Sequence, residues 1–223
     1  NKLVANSAGN VGVGTASPTR KLTVYDTDAY LALQNPTTGS AAGDGFQLQL
    51  VGNDVYHANY EAGSQIFTTS GSERMRINSA GIVTKPLQPA FLAQPSTTIL
   101  NIPTGASGNL NFDAERFDTN SDYSSGTFTA PVTGKYFLTV NFYFINLDSA
   151  ASYYEGLLTT SNRTYYTIVD PDFGQDNVYF CLVLTVLADM DAGDTANISV
   201  HQGGGSSQTD ISASAIFSGY LVA

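Results

Sequence analysis

Alternation of apolar and polar residues in the second half of the chain predicts β-strands with one buried face. The clearest run lies between Tyr136 and Phe144, where every second residue is apolar. This period of two is that of a strand with one face in a core. The intervening positions include Phe137 and Tyr143, so the second face can also be covered, as in a strand between a core and a neighbouring subunit. The pattern favours a β-sandwich over a helical protein.

Turn-rich segments separate further runs of this kind. Pro131 and Gly134 form a corner before the long run, because proline cannot donate to a ladder and glycine suits a turn. Nine such runs predict a sandwich or jelly roll. The predicted strands are 90–93, 97–102, 127–129, 135–145, 153–158, 164–169, 178–187, 195–201 and 212–221.

The first half of the chain contains shorter alternating segments. Asn6-Ser-Ala-Gly recurs at Asn78, and fibrous proteins reuse small strand-turn units in this way. Roughly a dozen apolar side chains, each worth about 1.5–3 kcal/mol when buried, must offset about 1–2 kcal/mol for ordering each residue. One copy alone would be marginal, so this half is predicted to form an intertwined trimeric β-shaft.

Two prolines mark the boundary between the halves. Pro86 and Pro89 favour an extended connector over a strand. The predicted domains are an intertwined β-shaft at 1–85, a linker at 86–89 and a jelly-roll head at 90–223. The chain begins with neither methionine nor an apolar leader, so Asn1 is expected to be an internal start without a signal peptide.

Acidic residues are concentrated in the second half and give the chain a formal net charge of -10. Six basic residues balance six acidic ones before Pro89, whereas three face thirteen from Pro89 onward. Nucleic acid is therefore disfavoured as a partner, because phosphate backbones need clustered Lys and Arg. The longest apolar run, 178–187, is too short to cross a bilayer, so no membrane insertion is expected. Cys181 lies in this run and is expected to be a buried, inert thiol.

Several motifs of the second half occur in the order typical of one family. Tyr123 and Gly126-Thr-Phe-Thr-Ala-Pro-Val-Thr-Gly-Lys-Tyr-Phe resemble the signature of the globular head of complement C1q and its tumour-necrosis-factor relatives. Pro89-Ala-Phe-Leu-Ala, Ala192-Gly-Asp and Phe217-Ser-Gly-Tyr-Leu resemble the opening strand, a late turn and the closing strand of that family. The resemblance implies a ten-stranded jelly roll that forms a compact trimer and binds partners through its loops, usually without catalysis. The aromatic residues expected in the core or the trimer interface are Phe128, Tyr136, Phe142, Phe217 and Tyr220.

The opening of the chain resembles a second kind of protein. Gly9-Asn-Val-Gly-Val-Gly-Thr-Ala-Ser-Pro followed by Lys21-Leu is similar to a module of phage tail fibres and tail spikes. Glu73-Arg-Met-Arg-Ile resembles the strand that ends such modules. A phosphate-binding loop at the glycines is disfavoured, because the residues from Pro18 onward predict a turn and a strand where that loop needs a helix.

Together the two resemblances imply the structural and receptor-binding part of a bacteriophage tail fibre, in which a fibre-type shaft is followed by a C1q/TNF-like jelly-roll head. The expected partners are two further copies in a homotrimer, other tail proteins and a receptor on the host bacterial surface, with a polysaccharide favoured. The expected location is the virion, outside the cell. Two alternatives remain open: a secreted bacterial or prophage adhesin, and a tail-spike glycan hydrolase with an intersubunit site.

An acidic loop is the candidate metal site. Asp170, Asp172 and Asp176 offer the oxygen ligands that calcium prefers. The loop lacks the bidentate Glu of an EF-hand, and aspartate is also a common turn residue. Calcium is the one cofactor that the sequence suggests, and turn formation is the competing interpretation.

Two tyrosine pairs are the candidate ligand contacts, because tyrosine combines a large contact area with a polar tip. The competing interpretation places one member of each pair in the core and the other in the subunit interface. Catalysis is not expected, since His57 and His201 lack a Ser or Cys partner motif and no carboxylate pair stands out. The candidate ligand-binding residues are Tyr153, Tyr154, Tyr165, Tyr166 and Arg163.

Overall fold

The computed structural model describes residues 3–223 as β-strands joined by turns, with no helix in that range. The prediction of an all-β chain is therefore confirmed for these residues. In the same range there is no helix of the length and apolar character needed to cross a membrane. The chain divides into two units, one ending at Pro86 and one beginning at Leu87.

The first unit consists of three separate three-stranded sheets. Its strands are β1 (Leu3–Ala5), β2 (Val11–Val13), β3 (Leu22–Val24), β4 (Asp28–Leu33), β5 (Phe46–Val51), β6 (Asp54–Asn59), β7 (Gln65–Thr69), β8 (Ser72–Ile77) and β9 (Val83–Thr84). In each sheet the strands lie side by side in chain order. The pair β2 and β3 is parallel, and every other pair in this unit is antiparallel.

The two copies of Asn-Ser-Ala-Gly in the first unit form the same turn. Asn6 Oδ1 accepts hydrogen bonds from the backbone N–H groups two and four residues later, at 3.1 and 3.0 Å. Asn78 Oδ1 does the same at 3.0 and 2.9 Å. The glycine that ends each copy has a positive φ, 71° at Gly9 and 80° at Gly81, where a residue with a Cβ would be strained. The repeat in the sequence is thus a repeat of local structure.

The middle sheet of the first unit has an apolar face that is largely exposed in the single chain. Leu33 is 60 % exposed, Leu50 48 % and Val55 66 %, and all three lie on one face in the β4–β5–β6 register. On the opposite face Gln47 and Gln49 are buried, with Gln49 Nε2 donating to Gln47 Oε1 at 3.0 Å, whereas the flanking Tyr30 and Tyr56 are 46 % and 47 % exposed. Among residues 3–90 none of the large apolar side chains is fully buried.

The second unit is a sandwich of two sheets. Its strands are β10 (Ala90–Gln94), β11 (Ser107–Asn109), β12 (Ala114–Asp118), β13 (Tyr123–Ser124), β14 (Thr127–Thr129), β15 (Gly134–Leu147), β16 (Tyr153–Thr160), β17 (Thr164–Val169), β18 (Asn177–Met190), β19 (Thr195–Gly203), β20 (Asp210–Ile211) and β21 (Ile216–Leu221). The first sheet has the order β12-β10-β21-β15-β18, with β20 also pairing with β15. The second has the order β13-β14-β19-β16-β17, with β11 also pairing with β19. All these pairs are antiparallel, and the arrangement is jelly-roll-like.

The core of the second unit lies between its two sheets and is rich in aromatic rings. Phe91 stacks on Tyr123 and Phe128 with centroid distances of 5.0 and 4.7 Å, and meets Phe217 edge-on at 4.9 Å. These geometries are those that aromatic pairs prefer. The alternation predicted for the long central strand is present, since its inward side chains are fully buried. They are Tyr136, Leu138, Val140, Phe142 and Phe144.

Two predicted strands differ from the structure. The strand at 97–102 is wrong: Ile99 makes only one bridge, to Ile211, and the flanking Pro95 and Pro103 cannot extend a ladder. The predicted closing strand at 212–221 is interrupted, because the segment after β20 turns before β21 begins. Conversely, the short β11 and β12 were not predicted, since neither has a period-two apolar pattern.

Candidate assembly and ligand-binding surfaces

The outer face of the first sheet of the sandwich carries many apolar side chains and no charged residue at its centre, and is partly exposed. Outward side chains of β15, β18 and β21 alternate with the core residues, because successive side chains of a strand point to opposite faces. Tyr179 is 65 % exposed, Val183 55 % and Leu187 60 %. We call this surface the assembly face. Its apolar residues are Phe137, Tyr143, Tyr179, Cys181, Val183, Leu187 and Tyr220, and the uncharged polar residues among them are Thr139, Asn141, Thr185 and Ser218.

Cross-strand aromatic pairs hold the assembly face together. The ring centroids of Phe137 and Tyr220 are 5.4 Å apart, and those of Tyr143 and Tyr179 are 5.9 Å apart. No charged residue occurs at 136–147 or 177–188. Exposed apolar surfaces without charge at their centre are typical of protein–protein interfaces. The assembly face is therefore suited to packing against another protein surface.

Cys181 belongs to the assembly face and not to the core. Its side chain is exposed, and it lies opposite Tyr143 in the β15–β18 register. The expectation of a buried thiol was wrong because the even-numbered residues of β18, such as Leu184 and Ala188, fill the core. Cys181 is an odd-numbered residue of the same strand and therefore points to the outer face. The sequence did not indicate this, because the whole run is apolar.

Four of the five aromatic residues predicted for the core or the trimer interface lie in the core, and the fifth lies on the assembly face. Phe128, Tyr136, Phe142 and Phe217 are buried in the single chain, whereas Tyr220 is 48 % exposed on the assembly face. The Tyr136 hydroxyl donates to the backbone oxygen of the nearby loop at 2.7 Å. Burial raises the pKa of Tyr136, so it stays protonated as that hydrogen bond requires.

The alternation of β16 and β17 separates the members of the two tyrosine pairs. Tyr154 is fully buried with its hydroxyl 2.6 Å from the Thr209 hydroxyl, so it is a core residue and not a ligand contact. Burial raises the pKa of Tyr154. Tyr165 packs against the core. Of the four tyrosines, Tyr153 and Tyr166 lie on the outer face of the second sheet.

Arg163 lies in the turn between β16 and β17 and not among the tyrosines. Its Nη2 atom is 3.1 Å from Asp189 Oδ1. With Lys135 and Asp191 these residues line a cleft of about 540 Å³. Two positive and two negative side chains face this cleft, so it has no excess positive charge with which to attract an anion.

On the outer face of the second sheet, three polar and aromatic side chains lie beside one another. In the β16–β19 register Tyr153 is opposite Gly203 and Glu155 is opposite His201. His201 Nδ1 is 3.5 Å from Glu155 Oε2. The His201 and Tyr153 rings meet edge-on, with centroids 5.4 Å apart and planes at 84°. We call the surface formed by Tyr153, Glu155, Tyr166 and His201 the tyrosine face.

The sequence predicts only part of the tyrosine face. Period-two alternation places Tyr153 and Glu155 on the same side of one strand. His201 and Gly203 join them because β19 pairs with β16, although His201 follows Glu155 by 46 positions. No pattern within either strand specifies that register. The sequence therefore offered no signal for His201 or Gly203 as part of this surface.

The three aspartates predicted to bind calcium do not form one site. Asp176 accepts hydrogen bonds from the Ser149 N–H and hydroxyl, both at 2.9 Å, and from Gln208 Nε2 at 2.8 Å. These hydrogen bonds lower the pKa of Asp176. Asp170 Oδ1 instead accepts from the Asp172 N–H at 3.1 Å, as in a turn. Within residues 3–223 no three His, Cys, Asp or Glu side chains are grouped as metal ligands. The contacts of Asp170 and Asp176 in the single chain therefore favour the turn interpretation.

Known proteins resemble the second unit over nearly its whole length. The family model described as "C1q domain" matches residues 90–222. Among solved structures, the globular domain of zebrafish complement 1qA is 17 % identical with a TM-score of 0.45, covering 61 % of this chain and 98 % of that one. Murine APRIL at pH 8.5 and 8.0 is 8 % identical with TM-scores of 0.45 and 0.46, covering 60 % of this chain and 99 % of each match. A search of curated proteins found no match.

Proposed function

Because the chain belongs to the C1q-domain family, we propose that it is the structural and receptor-binding part of a bacteriophage tail fibre. Domains of this family are often trimeric binding modules. In this proposal the protein is a homotrimer whose first unit is a shaft and whose second unit is a head. It lies outside the cell in a virion and attaches to a bacterial surface glycan.

The assembly face is the observation that carries the proposal. Its central residues Tyr179, Val183 and Leu187 are each more than half exposed in the single chain. Burying apolar surface contributes about 25 cal/mol per Å², and the face has no central charge whose desolvation would oppose contact. A closed ring of three copies covers this face on every copy at once, whereas an open arrangement would leave it exposed at the ends.

The first unit supports self-association for a second reason. Its middle sheet exposes Leu33, Leu50 and Val55 on one face, and the single chain supplies no core for them. Small sheets need a hydrophobic face packed against another layer for independent stability. Copies of the same sheet around one axis would supply that layer. The shaft is therefore the arrangement in which this unit gains a core.

The tail-fibre proposal rests on the opening motif and on the function that a trimer permits. The Gly9 to Leu22 segment resembles tail-fibre modules, and the Asn6–Gly9 turn at its start recurs at Asn78 with the same hydrogen bonds. Three identical heads on one shaft bind a repetitive glycan with avidity, because the first contact raises the effective concentration of the other two. A bacterial surface polysaccharide is such a repetitive ligand.

Light scattering tests the assembly part of the proposal. At micromolar protein we expect about three times the 23.6 kDa mass of the chain. A stable monomer or dimer would contradict the trimer.

Cell binding tests the attachment part. Fluorescently labelled protein is incubated with a panel of bacterial strains before and after periodate oxidation of their surface glycans, and parallel samples are treated with protease. We expect binding to some strains, lost after periodate and kept after protease. Binding lost only after protease would indicate a protein receptor, and an absence of binding to every strain would contradict receptor attachment.

A further inference from the structure

The ring of Tyr153 lies over the backbone of Gly203 on the neighbouring strand. A Cβ at Gly203 would come within 2.5 to 2.8 Å of three ring carbons of Tyr153. The ring therefore occupies the space where any other residue would place its side chain. An aromatic ring set over a cross-strand glycine shields that part of the sheet and presents its outer surface to a ligand.

The His201 ring packs beside the Tyr153 ring in an edge-to-face arrangement. Its plane makes an angle of 84° with the Tyr153 ring at a centroid distance of 5.4 Å. Glu155 lies opposite His201 on β16, with its Oε2 atom 3.5 Å from His201 Nδ1. The side chains of His201 and Glu155 keep 23 % and 26 % of their surface exposed, so their polar atoms remain within reach of a bound molecule.

A flat aromatic floor with polar groups at its edge suits a sugar ring. The apolar side of a pyranose can stack on Tyr153, while its hydroxyls donate to the Glu155 carboxylate or bond to the His201 ring. Sites for small ligands usually combine aromatic surface with a few placed polar groups in this way. The tyrosine face has this combination on one rigid strand pair.

The charge of the surface selects among sugars. The strands of the second sheet contain no Lys or Arg, and from Pro89 onward thirteen acidic residues outnumber three basic ones. The basic residues nearest to β16, Lys135 and Arg163, line a separate cleft with two aspartates. An acidic polysaccharide would be repelled by this field.

We infer that the tyrosine face binds an uncharged glycan, with one sugar ring stacked on Tyr153 beside the His201–Glu155 pair. Tyr166 extends the site: it is 64 % exposed and lies opposite Leu157, four residues and so about 13 Å along β16 from Tyr153. The ligand is thus longer than a single sugar ring. This inference rests on the proposed receptor-binding function and assigns its site and ligand class.

Saturation-transfer NMR and calorimetry on the full chain test the inference. The probes are oligosaccharides of glucose, galactose, mannose and N-acetylglucosamine, with oligogalacturonate as the anionic comparison. We expect saturation transfer to at least one neutral probe and none to oligogalacturonate. Tyr153→Ala should weaken the affinity by about tenfold or more, as removal of a central aromatic contact does, whereas Tyr153→Phe should stay within about threefold because it keeps the ring.

Gly203→Ala is the sharper variant, because it removes no ligand-contacting side chain and acts only by displacing the Tyr153 ring. We expect it to weaken binding by about as much as Tyr153→Ala. Tyr25→Ala is the matched control, since Tyr25 is 70 % exposed in the first unit, and it should leave the affinity unchanged. Melting temperatures of all variants identify any that are unfolded.

Three outcomes would overturn the inference: no transfer to any neutral probe, stronger binding of oligogalacturonate, or unchanged affinity in both Tyr153→Ala and Gly203→Ala. Its failure can be told apart from failure of the proposed function. If the trimeric Tyr153→Ala variant still bound cells, the proposed function would stand and the tyrosine face would be rejected as its site. A protein that binds the neutral probe but no bacterial strain would retain the site and reject the function.

Discussion

Val183→Asp should convert the trimer into folded monomers. Val183 lies at the centre of the assembly face, opposite Asn141 in the β15–β18 register, and is 55 % exposed in the single chain. Its side chain points away from the core, so the sandwich should tolerate the change. In a trimer, however, each copy would bring a carboxylate into the apolar contact.

The expected magnitude follows from these exposures. Full burial of a valine side chain is worth about 1.5–3 kcal/mol, and since about half of Val183 is already covered, about 1 kcal/mol per subunit remains to be gained on assembly. Burying an unpaired carboxylate costs several kcal/mol more. Three copies together lose on the order of 10 kcal/mol per trimer, which is on the order of seven powers of ten in the association constant.

Sedimentation equilibrium over a range of concentrations measures this change. Ile168→Asp is the control, because Ile168 is a β-branched strand residue of nearly equal exposure, 54 %, on the other sheet. We expect the control to remain trimeric and Val183→Asp to sediment as a monomer that keeps the near-ultraviolet circular dichroism of the buried aromatic rings, which all belong to the second unit. If Val183→Asp stays trimeric and Ile168→Asp dissociates, the assembly surface has been assigned to the wrong sheet.

Three further predictions concern the second unit. Phe91→Ala should destabilise by about 3–5 kcal/mol in urea unfolding, because it opens a cavity beneath stacked rings; a loss below 1 kcal/mol would contradict its central place. Gly156→Ala should cost about 1–3 kcal/mol and lower the melting temperature, because its Cβ would collide with the Phe142 ring; an unchanged melting temperature would contradict that contact. Hydrogen bonds from the Ser206 and Ala150 N–H groups lower the pKa of Asp148, so stability should fall with pH below about 4, where the unfolded carboxyl takes up its proton first. Urea unfolding from pH 7 to about pH 2 should show a smaller loss of stability in Asp148→Asn than in the wild type. An equal loss would exclude Asp148 as a cause of the acid destabilisation.

Where apolar and polar residues alternate clearly, the period of two predicted which side chains of a strand lie in the core. It did not predict which residues of the neighbouring strand lie opposite them. Tyr136 and Phe142 could be assigned to the core from the sequence, because one strand and its alternation decide their direction. The direction of the Cys181 side chain could not be predicted, because its neighbours in the sequence are apolar and show no alternation. Within such a run only the partner strand shows which parity is buried.

The acidic loop also shows that a local sequence pattern does not identify the partner of a side chain. The Asp170 to Asp176 segment has the composition of a cation site, yet Asp176 turns to Ser149 and Gln208, which lie 27 and 32 positions away in the sequence. A carboxylate satisfied by neutral donors of other loops needs no metal. The chemistry of a side chain can be read locally, whereas its partner is set by the topology that brings distant loops together.

The two surfaces of the head make separable contributions to attachment. The assembly face lies on the outer side of one sheet and the tyrosine face on the outer side of the other, so association through the first leaves the second free. Monomeric Val183→Asp should therefore bind a neutral oligosaccharide in calorimetry with the affinity of the wild type, yet be retained on cells about 100-fold less well or worse, because avidity is lost. Tyr153→Ala should show the reverse pattern, a normal trimer with weakened oligosaccharide binding. If Val183→Asp lost oligosaccharide affinity as well, the ligand site would have to include residues of a second copy.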